Sequence, residues 1–424
     1  MKKIIMICFW IILPLSTAHA VSSLEEFLKE LKVKDIRILE KEAFYSKIFE
    51  VSFTQPIDHR NPDLGSFDQR LYISHYSVDA PVVLVTEGYS ADYYYTSEPA
   101  SLLKCNQIIC EHRFFGESAP DSIPWEYLTT WQAATDHHEI IQKFKSYYTG
   151  DWITTGISKG GQTTMYHSYY YPEDVKLKIP YVAPLNAGIE DTRIYEFLDD
   201  VGNWNCRRKI HNFQKCCLKN QDDLIPEFIE FSKMKGYTYD WVGGYEKAFE
   251  YCVLEYSFAF WQWQYSSCKD FPNKNASPEE VIRHLNLVGG FDYFADQFVK
   301  PYQPFFYQSY TEMGYYGYEL DDFKHYLKHV SEPGFQYTLP EEAEIKFNPE
   351  LYQKMEEYFK SDAENFIFIY GEYDTWSATA VDLGTNTAST VVYKKKGSHR
   401  TRIRNLPEDQ QDYVKQLMEE YLLN

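Results

Sequence analysis

A serine lies between glycines in Gly156-Ile157-Ser158-Lys159-Gly160, after the strand-like run Trp152-Ile-Thr-Thr and before a helical segment. This is G-x-S-x-G in a strand–turn–helix setting. The serine must sit on a sharp, strained turn that lifts its hydroxyl off the top of a sheet. Glycines two before and two after let neighbouring backbone pass without Cβ clashes. The chemistry such a hydroxyl can do is acyl transfer. The N–H of Lys159, at the start of the next helix, would then face the developing oxyanion.

A serine nucleophile of this kind needs an acid and then a histidine, each just after a later strand. Asp374 follows Phe366-Ile-Phe-Ile-Tyr370 and a glycine turn, and His399 follows Thr390-Val-Val-Tyr393. His399 is the only histidine after residue 329, so chain order leaves little choice. In these roles His399 is the general base, and Asp374 fixes its tautomer and stabilises the imidazolium. The competing reading of His399 is a surface histidine in a basic loop. A second oxyanion donor is expected after Pro81–Thr86, where Glu87-Gly88-Tyr89 offers the N–H of Gly88 or Tyr89.

The elements that must position these groups are an α/β layer. Strands are expected at Ile48–Phe53, Arg70–Tyr76, Pro81–Thr86, Gln107–Glu111, Trp152–Thr155 and Ile179–Ala183, then at Phe366–Tyr370 and Thr390–Tyr393. Continuous apolar runs such as Val82-Val83-Leu84-Val85 suit strands covered on both faces. Residues 131–148 carry apolar positions at helical spacing. From 191 to 345 the strand signals fade into helical runs rich in Tyr, Trp and Phe. There Ser277-Pro278-Glu279-Glu280 is a capping box opening a helix that Gly289-Gly290 closes. The organisation read from this is a signal segment over 1–20, an α/β core over 21–190 and 346–424, and a helical cap over 191–345.

Met-Lys-Lys, an apolar run from Ile4 to Leu15 and Ala18-His19-Ala20 have the order of a secretory signal. That run is shorter than the roughly 20 residues of a membrane span, and no later segment qualifies. Export to periplasm or medium is therefore expected. Losing residues 1–20 removes Lys2 and Lys3 and leaves 40 basic against 62 acidic residues, a formal charge of −22 instead of −20. A surface that negative disfavours nucleic acid. No metal or other cofactor is expected: His137-His138-Glu139 lacks the H-E-x-x-H arrangement, and no cysteine has zinc spacing. Cys105 and Cys110 flank a strand too long for a disulfide. Cys206, Cys216, Cys217, Cys252 and Cys268 could form one or two bridges, with the pairing open. The run Lys394-Lys395-Lys396 reads as a solvated loop face.

Glu111-His-Arg-Phe-Phe-Gly-Glu-Ser118, Gly-Ile-Ser-Lys-Gly-Gly, Tyr-Gly-Glu-Tyr-Asp-Thr-Trp-Ser-Ala378 and Gly-Ser-His-Arg-Thr-Arg-Ile403 together resemble the S37 serine peptidases. These are secreted bacterial enzymes of the PS-10 or prolyl tri/tetrapeptidyl aminopeptidase type. The resemblance extends over nearly the whole chain after the signal, including Gln55-Pro-Ile-Asp-His59. The related S28 family shares the EHR-x-x-GES and Asp-x-Trp motifs but usually has Tyr after the serine, where Lys159 stands here. The resemblance implies an α/β-hydrolase with a helical cap, Ser158, Asp374 and His399 as its triad, and release of short peptides from free N-termini, often after proline. Thr375 departs from the Pro that tends to follow the Asp in related sequences.

A peptidase of that kind must hold a substrate ammonium, which calls for carboxylates or carbonyls. Glu87, Glu111, Glu117 and Glu372 lie in the right loops. Glu111 and Arg113 read more readily as an ion pair bracing those loops. Trp376, Trp261 and Trp263 are candidates for the walls around a prolyl ring, although aromatics at such spacing usually build core. Two other functions fit the same residues: a carboxylic esterase or lipase, and an inactive relative that binds peptides or glycans. The oligomeric state is left open.

Overall fold

Residues 47–75 form the longest pairing in the sheet, ten residue pairs from Lys47–His75 to Pro56–Ser66. In the computed structural model, which describes residues 23–423, strand β2 (Lys47–Pro56) runs antiparallel to β3 (Ser66–His75). The signal segment expected over 1–20 lies outside the described residues. An edge strand, β1 (Lys34–Leu39), pairs antiparallel with β2. Its sequence, Lys-Asp-Ile-Arg-Ile-Leu, is too polar and exposed to be read as a strand in isolation; β2 supplies the hydrogen bonds that define it.

From β3 the sheet continues through β5 (Asn106–Cys110), β4 (Val82–Thr86), β6 (Trp152–Ile157), β7 (Leu177–Tyr181), β8 (Ile367–Gly371) and β9 (Thr390–Lys394). All pairs beyond β3–β5 are parallel. The full order is β1-β2-β3-β5-β4-β6-β7-β8-β9. Strand β7 ends at Tyr181 rather than at Ala183, because Val182 turns to φ +45° and breaks the extended run.

Period-two alternation decides which helix covers which face. Val82 and Leu84 pack with Ile140, Ile141 and Phe144, whereas Val83 and Val85 join Val414, Leu417 and Met418 in the opposite layer. The first face is covered by α1 (Leu24–Glu30) and α3 (Thr130–Phe144), the second by α2 (Glu98–Leu103) and the C-terminal α12 (Glu408–Leu423). Helix α4 (Lys159–Tyr170) follows the serine turn directly. With this sheet and this turn the core is an α/β-hydrolase fold.

Between β7 and β8 the chain makes six helices: α5 (Arg193–Asp200), α6 (Trp204–Lys219), α7 (Gln221–Lys235), α8 (Tyr245–Trp263), α9 (Pro278–Gly289) and α10 (Asp296–Gln308). A further helix, α11 (Pro349–Ser361), leads into β8. The capping box at Ser277 and Glu280 is present and Gly290 ends α9. The spine is α8, buried on nearly every side from Ala248 to Trp261. One disulfide, Cys206–Cys268, ties the start of α6 to the loop after α8. Cys105, Cys110, Cys216, Cys217 and Cys252 carry free thiols. No helix among the described residues is long and apolar enough to cross a membrane.

Candidate active site

Ser158 sits at φ 56°, ψ −123° between β6 and α4, and its N–H donates to Tyr181 O at 2.8 Å. A non-glycine residue held in that region costs on the order of 1–3 kcal/mol, and it persists only where the surroundings enforce it. They do so by crowding. A Cβ on Gly156 would run into the Gly160 carbonyl, and one on Gly88 would lie 2.6 Å from Gly160 N. Lys159, next in chain, is fully buried and donates from Nζ to Gly88 O at 2.5 Å. Its ammonium rests over the rings of Phe115 and Tyr89. Burial pushes its pKa well down, and the amine remains a donor in either protonation state.

Asp374, at the end of β8, accepts from the N–H of Trp376 through Oδ1 and lies 2.7 Å from His399 Nδ1 through Oδ2. Both side chains are buried. Desolvation raises the Asp374 pKa, with the His399 charge and hydrogen bond pulling it back. With Nδ1 turned to Asp374, Nε2 is the nitrogen left for a substrate or a serine. His399 is held from the cap side as well: its N–H donates to Gln262 O at 2.8 Å, and Trp263 packs edge-on at 5.2 Å. Thr375 donates its hydroxyl to Phe258 O on α8, which fastens the Asp374 loop to the cap.

Ser158 and His399 line one cavity of about 670 Å³ between core and cap. No hydrogen bond joins the two among the described residues. Glu87, Tyr89, Lys159, Trp263 and Trp376 share this lining, together with aromatic side chains of the cap such as Tyr293, Tyr302, Tyr315 and Tyr316. Trp376 is wedged against Phe258, Tyr315 and Tyr316, so it serves both core and cavity wall. Trp261 faces elsewhere, against Tyr373 and Gly202.

The four loop carboxylates separate. Only Glu87 reaches the cavity; Tyr95 OH donates to it, and burial pushes its pKa up to about 7. Glu117 is exposed near Arg70, and Glu372 accepts from the Lys396 N–H. Glu111 and Arg113 do brace the loops, but not as partners of each other. Glu111 accepts from Ala91 N, Ser118 N and Ser118 Oγ, whereas Arg113 forks onto Asp136 at 2.6 and 2.8 Å. Asp136 Oδ1 also lies 2.7 Å from His59 Nε2, which makes a cluster of three side chains beneath the loop.

Glu255 went unnoticed in the sequence. It lies on α8, lines the cavity and accepts from Tyr316 OH and Tyr318 OH, each at 2.8 Å. Burial raises its pKa to about 8. The signal that points to it is an acid inside the largely apolar run Tyr251–Trp261, where an unpaired charge would be costly.

Residues 25–418 match the family described as PS-10 peptidase S37. A prolyl tri/tetrapeptidyl aminopeptidase of Streptomyces mobaraensis is 31% identical over 389 residues, which span 90% of this chain and 81% of that protein. Solved structures similar to this one include VinJ, with a TM-score of 0.43 and 11% identity over 88% of this chain and 97% of that one. A proline iminopeptidase of Mycobacterium smegmatis gives a TM-score of 0.41 and 11% identity over 88% and 99%. Likenesses of that size carry no argument about chemistry.

Proposed function

The chain belongs to the PS-10 peptidase S37 family of serine peptidases, and on that premise we propose that it is an exported exopeptidase releasing short peptides from free N-termini, favouring proline before the cleaved bond. Ser158 is the nucleophile. His399 takes its proton through Nε2 as Oγ attacks the carbonyl, and Asp374 holds the imidazolium that forms. The N–H groups of Lys159 and of Tyr89 or Gly88 receive the oxyanion. Collapse of the tetrahedral adduct breaks the C–N bond, and His399 passes the proton to the leaving amine. Water then repeats the sequence on the acyl-enzyme and releases the peptide.

The observation that carries this reading is the composition of the cavity. An aromatic chamber shared by Ser158 and His399 is also lined by three carboxylates, Glu87, Glu255 and the exposed Asp292. Carboxylates in an apolar chamber are poor company for a fatty acyl chain, and they suit an ammonium. Flat walls from Trp376 and Tyr315 suit a prolyl ring. A chamber of about 670 Å³ also limits how many residues can precede the cleaved bond.

Comparing a peptide amide bearing a free amine with its N-acetylated twin tests the proposal. The acetylated peptide is expected to be a far poorer substrate. Equal rates for the two, with simple esters turning over faster, would sink the peptidase reading and favour an esterase. Fluorophosphonate labelling separates both from an inactive binder: an adduct is expected on the native protein and none on Ser158→Ala.

A further inference from the structure

Beside the mouth of the catalytic cavity lies a second cleft, of about 450 Å³, lined by Lys394, Lys396, Arg400, Arg402 and Arg404 and by no acidic residue. Trp263, Arg400 and Arg402 line both spaces, so the two adjoin. None of the five cations forms an ion pair among the described residues. Lys394 donates to Asn405 Oδ1, and Arg402 to the carbonyls of His399 and Thr401. The nearby carboxylates of Glu98 and Glu372 are taken up by backbone N–H groups of Ile403, Arg404 and Lys396. In a chain of net charge −20, five cations without an ion-pair partner in one cleft run against the overall balance.

We propose that this cleft binds a carboxylate of the leaving peptide, either an acidic side chain just beyond the cleaved bond or the C-terminal carboxylate of a short substrate. The inference rests on the roles given above to Ser158 and His399. The leaving amine must collect its proton from His399, so the chain beyond the cleaved bond departs on the histidine side. The segment around His399 carries the cations of the cleft: Lys394 and Lys396 just before it, Arg400, Arg402 and Arg404 just after it. The carboxyls that suit the ammonium, Glu87 and Glu255, line the catalytic cavity and not the basic cleft. The site is thus polarised along the substrate, with anions at its amino end and cations at its carboxyl end.

Four peptides with one acyl part test this: Ala-Ala-Pro followed by Ala-amide, Asp-amide, Lys-amide or Ala with a free carboxylate. The Asp-amide and the free acid should each exceed the Ala-amide in kcat/KM by about tenfold, the Lys-amide should fall below it, and the order should flatten near 0.5 M salt. The two acidic substrates tell a side-chain carboxylate from a terminal one. In Lys396→Glu/Arg404→Glu the acidic-to-neutral ratio, read within one enzyme so that loss of folded protein cancels, should drop to one or below. Equal rates for all four peptides, or an unchanged ratio in the double variant, would overturn the inference while cleavage of the Ala-amide leaves the peptidase reading standing. If no free-amine peptide is cleaved, both fall.

Discussion

Lys159 Nζ and Gly88 O are 2.5 Å apart, so the residue after the serine grips the carbonyl of the peptide whose other end is the Tyr89 N–H. A trans peptide is planar and points its C=O and N–H in opposite directions. Fixing one therefore aims the other. Lys159→Met should lose kcat by a factor on the order of 10², in the range of a missing oxyanion donor, with KM little changed. Steady-state kinetics on a free-amine peptide check this; a rise in KM at constant kcat would assign the lysine to substrate binding instead.

Asp374→Asn keeps the shape of the site and changes which imidazole nitrogen bears the proton. A loss of about 10⁴ in kcat is expected, with the circular dichroism spectrum intact. A variant within tenfold of wild type would remove Asp374 from the mechanism.

Glu255 and Glu87 should shape the pH profile. Their carboxyls ionise near 8 and 7, whereas an α-amino group loses its proton at about 7.7–8.0. For a free-amine substrate kcat/KM should rise through neutrality and fall above about pH 8. Glu255→Gln should raise KM and shift the rising limb to lower pH.

The same groups link pH to stability. The ordinary Glu value is 4.5, and in the folded protein Glu255 keeps its proton to about 8. Between those values the folded state binds more protons than the unfolded one, so stability falls as pH rises through that window. Melting temperatures measured across it should decline in wild type and decline less in Glu255→Gln.

Cys206–Cys268 closes a loop over a sequence separation of 62 residues that contains α6, α7 and α8. Chain entropy assigns such a loop about 4 kcal/mol. Paired Cys→Ser substitution, or reductant on the native protein, should lower the melting temperature by several degrees. An unchanged Tm would mean that the cap holds α6 without the bridge.

The serine turn was legible because its demands are local: Gly156 and Gly160 are needed where a Cβ would strike backbone. Asp374 and His399 were legible from chain order, since each ends a clear apolar strand. Glu255 was not. Its importance depends on α8 crossing the mouth of the sheet, and helical periodicity gives no hint of what an acid on a buried helix will face. Arg113 and Glu111 looked like partners because they are two residues apart, yet Asp136 arrives from α3 and Ser118 from the loop beyond. The run Lys394-Lys395-Lys396 reads as a solvated loop face, and Lys395 and Lys396 are exposed, but only the folded loop brings Lys394 and Lys396 to one cleft with Arg400, Arg402 and Arg404.

Tyr181 on β7 and Ile369 on β8 are neighbours in the sheet, and every cap helix is made between them. While the chain is being synthesised, β7 therefore waits as a bare edge, although all five of its residues end up covered. Unpaired edges recruit other chains, and closing this one means bridging a very long loop, which is slow. Whatever shields that edge during the delay, in a cell or in a refolding buffer, should govern the yield of active protein more than the strength of any contact in the finished fold.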